Sequence, residues 1–187
     1  MTTPSHGSGL LATLKTLLTA FPPEGPAYCL IGALALGAWG RVRATHDIDL
    51  LLLLGEEQTQ RLVASLAPFG FSFDSEWANR NPMAKGRVTR LRHSGYPVDL
   101  ISIQDDQERE TLARRVSLIL EDVSAWVCTA EDLIILKLKA CRDQDLVDAQ
   151  SVIHRQGAGL DREYLWKWAD RLNLQGELHH VLQVQSP

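Results

Sequence analysis

The chain has 187 residues, 45% of them hydrophobic and 22% charged, with a formal charge of −4 at neutral pH. That size and apolar content suffice for one domain with its own core, and the acidic balance excludes a protein that coats nucleic acid through net charge. No segment has the apolar length of a membrane span, and the first residues lack a basic stretch followed by an apolar run, so the expected location is the cytoplasm with no membrane partner.

In chain order, LLATLKTLLTAF predicts a helix that stops at the breaker cluster PPEGP, making residues 1–26 an N-terminal helical segment. From residue 27 the pattern is short strand, Gly turn, short helix, loop, then the long strand of RVRATHDIDLLLLL. EEQTQRLVASLAPFG follows as a helix ending at Gly70, FSF as a short strand, and DSEWANRNPMAKG as a polar loop. RVTRLRHSGYPVDLISI predicts a hairpin turning at Ser94-Gly95. A helix is expected over 106–118, with AWVC as a short strand. Thr129 caps a helix running to Cys141, and two more helices, about 144–155 and 162–182, complete the chain. Strands first and helices last predict an α+β fold: a core over 27–128 and a helical C-terminal part over 129–187 that completes the site. Cys29, Cys128 and Cys141 are too scattered for a disulfide framework or a zinc site, and their apolar neighbours predict core positions.

The chemistry concentrates where the long strand begins. Side chains alternate along a strand, so Asp47 and Asp49 point to one side, roughly 7 Å apart. Each raises the other's cost of ionising unless a cation lies between them. Hard divalent cations take such oxygen ligands together with substrate phosphates. Gly32 stands between a strand and a helix, where a tight turn exposes backbone N–H groups suited to phosphate. Asp99, in YPVDLIS, offers a third carboxylate from another strand. On the 129–141 helix, Lys137 falls on the stripe of Leu133, Ile134 and Leu138, while Asp132 and Lys139 lie opposite. A buried ammonium needs an anion; a snorkelling Lys137 is the alternative. Asp145 and Asp148 share a face of the next helix. Arg41, Arg43 and Thr45 flank the carboxylate pair, and Arg87, Arg90 and Arg92 line the hairpin strand, facing either an acceptor or water.

The residues IGALALGAWGRVRATHDIDLLL, VDLI and EDLIILKLKACRDQDLVDA resemble the polymerase-beta superfamily of nucleotidyltransferases, within it the AbiEii-like toxin branch. The resemblance covers about 28–150. It implies a mixed-sheet nucleotidyltransferase core, with Asp47, Asp49 and Asp99 as catalytic metal ligands for two Mg²⁺ (or Mn²⁺) ions. It implies a nucleoside triphosphate as substrate, with Lys137 and Asp145 catalytic. Gly32, Ala33, Arg43, Thr45, Lys137, Arg142 and Asp148 would line the nucleotide site, Arg142, Asp145 and Asp148 orienting the site or the Lys. Ala33 departs from the family's Gly or Ser and removes a hydroxyl contact to phosphate, leaving its backbone N–H. The implied acceptor is a hydroxyl of tRNA, of a protein or of a small molecule, and an antitoxin protein is an implied partner. On this reading Lys137→Met weakens triphosphate binding and barely changes stability. The competing readings are a noncatalytic module of the same fold that binds a protein or RNA, and a glycosyltransferase, which also uses an Asp-x-Asp pair.

Overall fold

The structure is a computed structural model that describes residues 6–22 and 25–183, so Pro23 and Glu24 of the breaker cluster lie outside the described residues. The chain begins with helix α1 (His6–Ala20), then strand β1 (Tyr28–Leu30), α2 (Gly32–Trp39), β2 (Ile48–Leu52), α3 (Glu56–Leu66), β3 (Ser72–Phe73) and α4 (Ser75–Arg80). The hairpin β4 (Val88–His93) and β5 (Tyr96–Ser102) leads to α5 (Asp106–Arg114) and a second hairpin, β6 (Val116–Leu120) and β7 (Val123–Val127). Helices α6 (Ala130–Ala140), α7 (Asp143–Gln156), α8 (Arg162–Leu172) and α9 (Gln175–Gln183) follow.

The strands form one mixed sheet in the order β3-β4-β5-β2-β1-β7-β6. β2 is central, antiparallel to β1 and parallel to β5. Its leucines Leu50, Leu51 and Leu52 are buried, as a strand covered on both faces requires. α2 packs on β2, α6 and α7, and α1 contributes Leu10, Leu14 and Leu17 to the same core as the sheet. The β4–β5 turn has positive φ at both Ser94 (51°) and Gly95 (86°), the signature of a two-residue hairpin turn matched to sheet twist. This α+β architecture, mixed sheet first and helices last, is the one expected from the sequence.

Four local expectations are corrected. The polar segment after Phe73 contains α4, started by the Asp74 carboxylate accepting from the Trp77 N–H at 2.9 Å. The helix expected over 106–118 stops at Arg114, and residues 116–120 alternate in burial as a strand paired with β7. The last predicted helix is two, divided at Asn173, which takes the left-handed conformation with φ 56°. Cys141 is exposed at the C-terminus of α6, whereas Cys29 and Cys128 are buried.

Candidate active site

The site begins with the backbone. Gly32 opens α2 with φ +65°, a region L-residues avoid, and a Cβ there would collide with the Asp49 carboxylate. Asp49 pairs in register with Asp99 on β5, and Asp99 with Arg90 on β4. Neighbouring register positions point to one face, so a row Asp49, Asp99, Arg90 crosses three strands. Asp47 stands just before β2 and accepts from Thr45 Oγ1 at 2.6 Å. Burial, then the charges of Asp47 and Asp99, push the Asp49 carboxyl up to about 7, with Lys137 and Arg90 pulling the other way. Three carboxylates here meet one adjacent guanidinium, leaving this pole acidic.

The opposite pole is cationic. Lys137 Nζ, 7% exposed, donates to Asp145 Oδ1 at 2.8 Å and Asp148 Oδ2 at 3.0 Å. Arg142 Nε donates to Asp145 Oδ2 at 2.6 Å. Asp148 is fully buried and also accepts from Arg41 Nε and Nη2 (3.2 and 3.0 Å), Arg43 Nε (3.3 Å) and Gln144 Nε2 (3.1 Å). Burial pushes both carboxyls up, yet these cations outweigh it: Arg142 and Lys137 hold Asp145 below the usual carboxylate range, and Lys137 and Arg41 do so for Asp148. Four cations on two carboxylates leave an excess of two positive charges. A cavity of about 360 Å³ joins the poles, lined by Gly32, Asp49, Leu133, Lys137, Arg142 and Asp145 among others.

The structure thus brings Gly32, Asp49, Lys137, Arg142 and Asp145 onto one cavity, with Asp47 and Asp99 beside Asp49 and with Arg43 and Asp148 behind Lys137. Ala33 is buried at the second position of α2, and Thr45 is engaged with Asp47. The stripe placing Lys137 inward agrees with its burial, but both of its visible anions are protein carboxylates. The opposite face is covered as well: Asp132 is fully buried, accepting from Thr129, Tyr164 and Arg114, and Lys139 pairs with Asp105 and Glu108. α6 is covered on nearly every side, which a single stripe does not anticipate. Sequence reasoning left Arg41 and the hairpin arginines undecided. Arg41 ties the loop before β2 to α7; Arg87 pairs with Glu108, Arg90 with Asp99 and Arg92 with Asp74. The signal for Arg90 was available in the hairpin: with the turn at 94–95, Arg90 falls opposite Asp99.

Asp47 and Asp49 supply hard oxygen donors of the kind Mg²⁺ or Mn²⁺ takes, and the charge of Asp47 is among the causes that raise the Asp49 carboxyl. Among the described residues no three His, Cys, Asp or Glu side chains are already gathered as a metal-holding group.

No protein-family model matches the chain, and no curated protein is similar to it in sequence. Solved structures do match. The crystal structure of ANT(2″)-Ia in complex with adenylyl-2″-tobramycin superposes with a TM-score of 0.62 at 14% identity, over 87% of this chain and 98% of that one. The solution structure of the antibiotic-resistance factor ANT(2″)-Ia gives 0.63 at 15% identity, over 94% and 99%. An antigenic nucleotidyltransferase-like protein from Paracoccidioides brasiliensis gives 0.53 at 18%, over 92% and 93%. The chain has the nucleotidyltransferase fold. On that fold, the Gly32 turn, Asp49 of β2 and the α6–α7 charges Lys137, Arg142 and Asp145 line one cavity. No helix among the described residues is long and apolar enough to cross a membrane.

Proposed function

We propose that the chain is a divalent-metal-dependent nucleotidyltransferase that moves a nucleoside monophosphate from a nucleoside triphosphate to an acceptor hydroxyl. The observation that carries this reading is one cavity with Asp49 on one side, beside Asp47 and Asp99, and Lys137 and Arg142 on the other, backed by Arg41 and Arg43 through Asp148. A cation held by Asp47 and Asp49 would neutralise the triphosphate and the departing pyrophosphate. The α2 N-terminus at Gly32 and Ala33 presents backbone N–H groups to phosphate, and Arg43, Lys137 and Arg142 add positive charge on the other side. Thr45 fixes the Asp47 carboxylate, Asp148 anchors Lys137 with Arg43, and Asp145 does the same for Lys137 with Arg142.

In the transfer, the acceptor oxygen bonds to the α-phosphorus as the bond to the bridging oxygen of the β-phosphate breaks. Pyrophosphate leaves with that electron pair, and the acceptor proton passes to Asp99. Positioning and charge supply most of the acceleration. The Lys137, Arg142, Asp145 and Asp148 pattern favours the AbiEii-like branch, with a toxin role and an antitoxin partner. The acceptor is best sought first among small hydroxylated molecules, because this chain spans nearly the whole of a neighbour solved in complex with adenylyl-2″-tobramycin; tRNA and protein hydroxyls are the next candidates.

Incubation with each α-labelled nucleoside triphosphate and Mg²⁺, against an aminoglycoside panel, total tRNA and lysate protein, tests this. Label should enter one acceptor class and vanish in Asp47→Asn and Asp49→Asn. Transfer that survives in both variants would overturn the reading.

A further inference from the structure

The third carboxylate of the row already has a cation. Arg90 Nε donates to Asp99 Oδ1 and Nη2 to Asp99 Oδ2, both at 2.6 Å, a two-pronged pairing that matches a planar guanidinium to a carboxylate. The side chains are 19% and 10% exposed, so the pair is little screened by water. Trp77 covers the guanidinium, whose carbon lies 4.4 Å from the ring centroid. Trp77 is itself set in place by Asp74, which caps α4, accepts from Arg92 Nε at 2.6 Å and donates its own N–H to the Arg90 carbonyl at 2.9 Å. Register holds the partners from beneath, since Arg90 and Asp99 are opposed across an antiparallel pair. The backbone, the α4 cap and the indole all maintain Arg90 on Asp99.

We infer that Arg90 takes the charge-balancing place of a second metal ion, so that the site accepts one divalent cation, at Asp47 and Asp49, while Arg90 serves as the positioning residue for Asp99. The inference rests on the nucleotidyltransferase reading and departs from the two-ion arrangement that the sequence resemblance implies. Its physical basis is competition. A second cation would have to share or displace two short charge-assisted hydrogen bonds in a poorly hydrated place, and an expelled guanidinium would face the Trp77 ring without its anion.

The test counts Mn²⁺ ions bound by the full-length protein, using the electron paramagnetic resonance signal of free Mn²⁺ during titration. Wild type should bind one ion, lost in Asp47→Asn and retained within about twofold affinity in Asp99→Asn. Arg90→Gln should gain a second ion, and Arg90→Gln with Asp99→Asn should lose it again. Arg90→Lys retains a charge and should hold the count at one, with thermal melting checking that each variant is folded. Two ions in wild type, or a tenfold loss of affinity in Asp99→Asn with Arg90 intact, would overturn the inference while leaving metal-dependent transfer standing. Wild type that binds no Mn²⁺ yet transfers label would overturn the metal-dependent reading and this inference with it.

Discussion

At Gly32 the constraint is both conformational and steric: φ is positive, and any Cβ would strike Asp49. Gly32→Ala should therefore cost about 1–2 kcal/mol from the left-handed backbone alone, with a further loss from moving Asp49. Urea denaturation measures the first, and transfer should fall well below wild type because the carboxylate leaves its place. Lys137 is a second residue whose context changes its expected behaviour. On sequence alone, Lys137→Met is a silent change for stability. In the structure it removes the cation shared by two buried carboxylates, Asp145 and Asp148. Breaking a buried ion pair costs about 3–5 kcal/mol, and Arg142, Arg41 and Arg43 remain to serve the two acids. A loss of about 3 kcal/mol in chemical denaturation is expected; a loss of only a few tenths would return Lys137 to a snorkelling role.

Between elements, the charged pairs act as ties. Arg87, just before β4, and Glu108 on α5 join the hairpin to the helix beside the cavity, with Lys139 of α6 closing the group at 3.2 Å. Burial pushes the Glu108 carboxyl up, but the hydrogen bonds from Arg87 and the Gln104 N–H, with the charge of Lys139, bring it down to about 2 from an ordinary 4.5. The fold thus favours the ionised form. Its stabilisation is complete above pH 4.5 and is lost as the pH falls toward 2. Glu108→Gln should be less stable than wild type at pH 7 and should lose less on acidification from pH 5 to 2.5, as thermal unfolding across that range would record. Equal acid slopes would mean that Glu108 is not tied in solution.

Across the whole molecule, α1 belongs to the common core. Leu14 and Leu17 are fully buried in the cluster that includes the β2 leucines. Leu17→Ala should cost about 2–5 kcal/mol, the transfer and cavity terms of a large core deletion. One cooperative transition should be seen, with the loss shared by probes on α1 and on the sheet. An early, separate melting of α1 would instead mark residues 1–26 as an appendage.

What the sequence determined by itself was everything set by local periodicity and chemistry: the leucine run of β2, the Ser94-Gly95 turn and the Thr129 cap. These features depend on a few adjacent residues, so strand alternation and turn preferences suffice to read them. Asp99 was legible as a candidate because it lies in a clear strand, and Lys137 because it interrupts an apolar stripe. The Arg90 partner of Asp99 follows from the hairpin turn, whereas tertiary structure alone decided the pairings between distant segments. Residues 116–120 became a strand only through pairing with β7, and Asp132 went inside because Tyr164, 32 positions later, brings it a hydroxyl. Arg41 meets Asp148 across 107 positions, and the parallel register of β2 with β5 sets Asp49 against Asp99 and thereby beside Arg90. Side-chain alternation repeats every two residues and helical faces every 3.6, whereas the pairing of distant charges follows from the sheet order β4-β5-β2-β1, which no local period encodes.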